Sequence, residues 1–147
     1  MEVIMLGELN REQTEQVLRS EVIGRIGCHS GGKTYVVPVT YAYFDGAVYG
    51  HSGPGMKLEM MRANPEVCFE VDDLENLSNW RSVIAWGRFE ELHGEAAMNA
   101  MQKLADRLMP MMASETSQPH GSGGTGASQA VVYRINLREM TGRFEKR

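Results

Sequence analysis

Lys33-Thr34-Tyr35-Val36-Val37-Pro38-Val39-Thr40-Tyr41-Ala42-Tyr43-Phe44-Asp45-Gly46-Ala47-Val48-Tyr49-Gly50-His51 sets the architecture of this chain. Lys33 to Phe44 is β-branched or aromatic at most positions, which suits a pleated strand. Asp45-Gly46 is a hairpin signal, and Ala47 to His51 is the returning strand. Upstream, Val22 to Cys28 reads as a strand containing two glycines, and Gly31-Gly32 turns it into Lys33. Three antiparallel strands in succession make a meander. Pro38 cannot donate to a ladder. It marks an edge, a bulge or a place where a ligand replaces the neighbouring strand, and its strand-like flanks favour the last two.

Outward from this run the pattern alternates between strands and short helices. Asn10-Arg11-Glu12-Gln13 has the form of a capping box, so a helix is expected to about Ser20. With only Val17 and Leu18 apolar, that helix should lie on the surface. Pro54 suits a first helical turn, and Asn64-Pro65 ends the segment that follows it. Glu66 to Val71 alternates as a strand, Asp72 to Asn79 reads as a polar loop, and Trp80 to Leu92 is the next strand. Val83 to Trp86 is apolar on both faces, so this strand should be central. Ala97, Met101, Leu104 and Leu108 form one stripe on a helix from Glu95 to about Met109, which Pro110 ends. Residues 113–128 are rich in Gly, Ser and Thr and are expected to form a mobile loop. Ala130 to Leu137 is the last strand. The expected fold is mainly β (α+β), a single domain over 1–147. It is a six-stranded, partly open antiparallel barrel with peripheral helices, because closure removes exposed edges.

Composition narrows the function classes. The chain has 147 residues, 42% hydrophobic and 23% charged, with a formal net charge of -4. An acidic chain lacks the basic surface that nucleic acid requires. No apolar run approaches the roughly 20 residues of a membrane span. Met1-Glu2 opens no secretory signal, and the reading is cytoplasmic. Cys28 and Cys68 sit in apolar runs with no Cys/His cluster, so two buried thiols are expected and no metal.

Three stretches carry candidate chemistry. His51-Ser52-Gly53-Pro54-Gly55-Met56-Lys57-Leu58 combines a His, a hydroxyl, a helix N-terminus and a Lys, which together suit a phosphate. The same residues also read as a tight turn with an N-capping Ser52 and a solvated Lys57, and alone they favour that reading. The strand around Pro38 could offer backbone groups to a flat heterocycle. Trp80-Arg81-Ser82 could place a guanidinium on a phosphate or ring edge, or be a core Trp with a rim Arg. His29, His93 and His120 are each read as surface residues. No GxSxG, P-loop or GxGxxG pattern is present.

In order and spacing, these segments resemble the pyridoxamine 5'-phosphate oxidase-like superfamily, with its FMN-binding split barrel. The carrying segments are Gly24-Arg25-Ile26-Gly27, Tyr35 to Val39, Val48 to Ser52, Gly55 to Leu58, Asn64 to Val71 and Trp80 to Arg88. The likeness runs from about Leu9 to Arg143 and looks nearest to the nitroimidazole-resistance (Nim-type) branch. It implies FMN at a homodimer interface. Val37, Pro38, Val39 and Thr40 would contact the isoalloxazine, and His51, Ser52 and Lys57 the phosphate and ribityl end. Trp80, Arg81 and Ser82 would lie near the flavin or phosphate, with Arg143 a weaker candidate. It further implies a flavin-dependent oxidoreductase acting on a small molecule, nitroreductase-like or related to pyridoxamine phosphate oxidase. A non-catalytic FMN carrier or redox sensor, or a haem-binding relative, remains the alternative. No catalytic acid or base is assigned, although His29 and Tyr41 are polar candidates. The basic substrate-binding residues of the full pyridoxamine oxidase have no counterpart near this C-terminus.

Overall fold

The computed structural model describes residues 3–112 and 130–147. The expected loop at 113–128, and His120 within it, lie outside the described residues. The chain runs β1 (Met5–Glu8), α1 (Arg11–Ser20), β2 (Ile23–Ser30), β3 (Lys33–Thr40), β4 (Ala42–Phe44), β5 (Ala47–Ser52), α2 (Met56–Ala63), β6 (Glu66–Asn76), β7 (Asn79–Leu92), α3 (Gly94–Leu108), a 3-10 turn (Met109–Met111) and β8 (Val131–Lys146).

The strands form one antiparallel sheet in the order β3-β2-β6-β7-β8-β5-β4, with β1 added along β8. β3 and β4 are opposite edges of this path, yet only Tyr41 separates them in sequence. Six strand spacings in a flat sheet would put those edges roughly 29 Å apart. One residue cannot cross that gap, so the sheet is rolled until its edges approach. Its concave side holds the core: Ile26, Phe69, Val71, Val83, Tyr133 and Ile135, with Val17 and Leu18 of α1 and Leu58 and Met61 of α2. A second cluster forms where α3 packs Ala100, Leu104 and Leu108 against Tyr49, Leu92 and Val132.

Local chemistry explains the elements. The capping box forms as expected: Gln13 N–H donates to Asn10 Oδ1 at 2.8 Å, and Asn10 N–H donates to Gln13 Oε1 at 2.9 Å. As expected, α1 lies on the surface, with six of its ten residues exposed and one face turned inward. Val17 and Leu18 are fully buried, and Thr14 satisfies its hydroxyl on Asn10 O at 2.8 Å. Two adjacent apolar residues suffice because α1 lies across the barrel, where contact with several strands replaces a long stripe.

Several other boundaries differ. β6 continues through the acidic stretch expected as a loop, because Asp72 and Asp73 pair across to Ser82 and Arg81. β8 extends well past Leu137, and its end binds β1, a strand too short to stand out in sequence. The long run after Lys33 breaks at Tyr41, and β1 and this break account for the two strands beyond the expected six. Pro38 marks an edge and not a bulge, since β3 pairs with β2 in unbroken register from Ser30↔Lys33 to Ile23↔Thr40. β7 is central, but only one face of Val83–Trp86 is covered: Val83 and Ala85 are buried, whereas Ile84 is 39% and Trp86 38% exposed. On α3, Ala100 takes the buried place expected of Met101. Cys28 and Cys68 are both free thiols, but against expectation only Cys28 is buried and Cys68 is half-buried on β6.

The longest ladder, β7 with β8, shifts register between Trp86 and Gly87. A Cβ on Gly87 would lie 2.3 Å from Asn136 O, a backbone atom that cannot swing away. Gly87→Ala should therefore cost about 1–3 kcal/mol or more, read as a lower urea midpoint with an unchanged slope. A wild-type midpoint would show that the ladder can shift to accept the methyl.

Candidate functional site

β5 ends at Gly50-His51-Ser52, where it runs beside β8 with Gly50 level with Tyr133. The glycine is required by close approach: a Cβ there would lie 2.6 Å from the Tyr133 hydroxyl. The chain then turns through Gly53-Pro54-Gly55 into α2. Leu58 and Met61 are buried in the core and fix the helix axis. With those residues held inward, Lys57 in the first turn points to the barrel mouth, its ammonium 5.8 Å from the centre of the Tyr133 ring. That geometry is a cation–π contact.

The capped-turn reading does not describe this structure. Ser52 donates its hydroxyl to Gly53 O at 2.9 Å, and the N-cap of α2 is Gly55, which offers no side-chain acceptor. The first bond of the helix runs from Glu59 N–H to Gly55 O. The N–H groups of Met56, Lys57 and Leu58 thus precede any intrahelical acceptor. Lys57 is half-buried, and among the described residues no carboxylate lies within ion-pair reach of it. Other basic side chains have partners: Arg25 with Glu70 at 3.1 Å, Arg81 with Asp73 at 2.6 Å, Arg134 with Glu90 at 2.8 Å, and Arg62 with Glu91.

Electrostatics ties Lys57 to two neighbours. Burial lowers the Lys57 pKa, opposed by the Cys28 thiol. Burial raises that thiol, opposed by Lys57. His51 keeps an exposed face, but the protein around its ring, and then the Lys57 charge, hold its pKa below the ordinary value. The result is a lysine, an imidazole biased toward neutrality, an aromatic ring and open helix N–H groups, with no anion supplied by the described residues. Such a place suits an external anion.

The remaining expected residues fall in two other places. On the edge strand β3, Val39 points into the core and Val37 is half-buried, while Pro38 and Thr40 are exposed. Alternate backbone groups of an edge strand have no ladder partner, so this edge can receive a flat ligand. Trp80, Arg81 and Ser82 lie at the far end of β7. Gly27, next to Cys28, is level with Cys68 and Trp86; Arg81 is five residues further along β7, about 17 Å at the rise of a strand. There Trp80 Nε1–H donates to Glu145 at 3.2 Å, and Ser82 is half-buried in register with Asp72 and Arg143. One chain therefore brings His51, Ser52 and Lys57 together and keeps Trp80–Ser82 apart; Val37–Thr40 lie on the β3 edge, running from opposite Ile26 to opposite Ile23, away from the Cys28 level.

Of the polar candidates, Tyr41 is excluded as a proton donor to a substrate. It is fully buried, its hydroxyl donates to Leu18 O at 2.8 Å, and burial pushes its pKa up. His29 is exposed, with Nδ1 3.0 Å from Thr34 Oγ1. Sequence reasoning missed Cys28 and Tyr133 as neighbours of Lys57. Both lie on strands remote in sequence, and only Gly50 hinted that a large ring must cross β5.

The comparisons with known proteins agree with this architecture. Residues 10–144 match the family described as pyridoxamine 5'-phosphate oxidase. An uncharacterized protein of Rhizobium meliloti is 29% identical over 143 residues, covering 92% of each chain. A crystal structure of an FAD-binding protein from Mesorhizobium loti superposes with TM-score 0.80 at 29% identity, covering 99% of this chain and 100% of the other. A candidate 5-nitroimidazole antibiotic resistance protein from Bacteroides thetaiotaomicron gives TM-score 0.70 at 19% identity, covering 98% and 92%. At that identity the likeness is one of fold alone.

His51 generates a pH prediction. Its folded pKa is depressed, so the unfolded chain binds its proton more readily and stability falls as pH drops through the ordinary histidine range. Urea unfolding at pH 7 and pH 5 should show a smaller acid loss in His51→Gln than in the wild type. Equal losses would mean that His51 is free to ionise in the fold.

Proposed function

The chain belongs to the pyridoxamine 5'-phosphate oxidase family, and on that premise we propose that it binds a flavin nucleotide and acts as a flavin-dependent oxidoreductase on a small molecule. The observation that carries this reading is Lys57: a half-buried cation with no carboxylate partner among the described residues, beside an uncapped helix N-terminus. Leaving a charge without a partner in such a place is costly. A flavin phosphate would supply the missing charge. The FAD-binding relative from Mesorhizobium loti supports a flavin. FMN is the expectation from the split-barrel likeness, and FAD shares the phosphate and the ring on which the argument rests.

In this reading Lys57 and the N–H groups of Met56 to Leu58 bind the phosphate, while Ser52 turns its hydroxyl from Gly53 O toward the ligand. A neutral His51 can donate one hydrogen bond beside them. Pro38, Thr40 and the free backbone edge of β3 position the ring, with Val37 and Val39 holding that edge against the core. The flavin supplies the redox chemistry, and the chain supplies binding, orientation and exclusion of water. The Nim-type likeness makes reduction of a nitro group the reaction of first interest.

The separation of Trp80–Ser82 from Lys57 supports a homodimer. For both groups to reach one flavin, a second copy must supply one of them. The exposed apolar residues Val36, Ile84 and Trp86 give such a copy a face to cover.

The purified protein should be yellow, or become so on adding FMN or FAD. Lys57→Ala should weaken binding about 10–100-fold, the loss of one charge-assisted hydrogen bond, with Ser52→Ala weaker in effect. A protein that takes up neither flavin, or unchanged affinity in both variants, would overturn the reading. Light scattering should give a dimer that Trp86→Glu converts to monomer, and a monomeric wild type would remove the shared site. Anaerobic reduction followed by a nitroimidazole challenge then separates an enzyme from a carrier, since a carrier would not reoxidise.

A further inference from the structure

A cavity of about 760 Å³ lies at the end of the barrel remote from Lys57, between the N-terminal segment and the paired ends of β7 and β8. Its size falls within the usual range for small-molecule sites. Met5, Leu9, Trp80 and Phe144 contribute apolar and aromatic surface. Trp80 is fixed there by its hydrogen bond to Glu145. Two rings and a thioether favour a flat, polarisable occupant.

The charges around the cavity select further. Asp73, Glu75 and Glu145 line it against Arg81 and Lys146. Arg81 is held by Asp73 at 2.6 Å, and Lys146 is exposed to solvent. An entering carboxylate or phosphate would face three carboxylates, and the charge of Arg81 is already offset by Asp73. Gln13 offers a neutral handle. Its Oε1 accepts the Asn10 N–H within the capping box, leaving the amide N–H₂ to donate to an oxygen of the ligand.

We propose that this cavity binds a planar aromatic molecule carrying no negative charge. The proposal stands on the cavity itself. If, as the flavin reading requires, a second copy brings its flavin to Trp80, the occupant would be the electron acceptor. A phosphorylated pyridine would meet Asp73, Glu75 and Glu145, with solvent-exposed Lys146 as the cation not held by a carboxylate among the described residues.

The test is calorimetric titration of the full-length protein with three molecules of one shape: 1-naphthalenemethanol, 1-naphthylmethylamine and 1-naphthoate. The alcohol and the amine should bind at one site per chain, and naphthoate about tenfold more weakly or worse. Asp73→Asn, which releases Arg81, should recover most of the naphthoate affinity. Met5→Glu, at a position 53% exposed and so tolerant of change, should weaken naphthoate further and the amine least. Trp80→Ala should weaken all three. Naphthoate binding as tightly as the amine, no binding by any of the three, or wild-type affinities in Trp80→Ala would each overturn the proposal. Lys57→Ala should leave these affinities unchanged while lowering flavin affinity, so failure here is distinguishable from failure of the flavin reading.

Discussion

A single residue, Tyr41, joins strands that lie at opposite edges of the sheet, and the rest of the architecture follows from that constraint. Its backbone N–H donates to Val22 O at 2.9 Å, its hydroxyl donates to Leu18 O at 2.8 Å, and its ring meets Phe69 edge-on at 4.8 Å. The linker is thereby fixed to α1, to the approach to β2 and to β6 at once. With this point held, the sheet must curl, and its curl makes the concave core that α1 and α2 fill. The closure is incomplete in hydrogen bonding, because β3 and β4 are not paired with one another. The barrel therefore keeps an open edge at β3, close to where α2 brings Lys57.

Charge is distributed unevenly between the two ends. Around the outer face and the far end, arginines are matched with carboxylates, as in Arg25 with Glu70 and Asp72, or Glu66 with both Arg88 and Arg138. Such exposed pairs add little stability individually. In the large cavity Arg81 is matched in the same way, with Asp73. At the α2 end the opposite holds: the chain brings a cation, helix N–H groups and an aromatic ring together, and the described residues supply no counter-charge. One end thus lacks a counter-charge for its cation, and at the other carboxylates outnumber cations.

Much of this was legible in the residues. The meander, the capping box, the α2 start after Pro54 and the central place of β7 all have local signals. His51, Ser52 and Lys57 were legible as a group because one turn brings them together. What was hidden depends on distant pairing. The acidic segment Asp72–Asn76 has poor strand composition and becomes a strand because Ser82 and Arg81 lie opposite. β1 has four residues and exists only because the end of β8 lies beside it. Trp86 looks like core from its neighbours, yet it lies on the sheet's outer face, where the described residues leave it 38% exposed. Tyr133 reaches the mouth from the far side of β5, a relation that no sequence period encodes.

β8 bonds to β1, β5 and β7, so residues 131–146 complete three separate ladders. Met5 finds its partner at Lys146. During synthesis on the ribosome, β5 and β7 emerge with their shared neighbour still unmade. The growing chain can form the β2–β3 hairpin and the β6–β7 hairpin, yet it has no strand to join them to β4–β5. Contacts this distant in sequence slow folding, and unpaired apolar strands are exposed meanwhile to aggregation. Nascent chains lacking β8 are thus the species on which chaperones would act, and the order of strands along the chain sets when that risk ends.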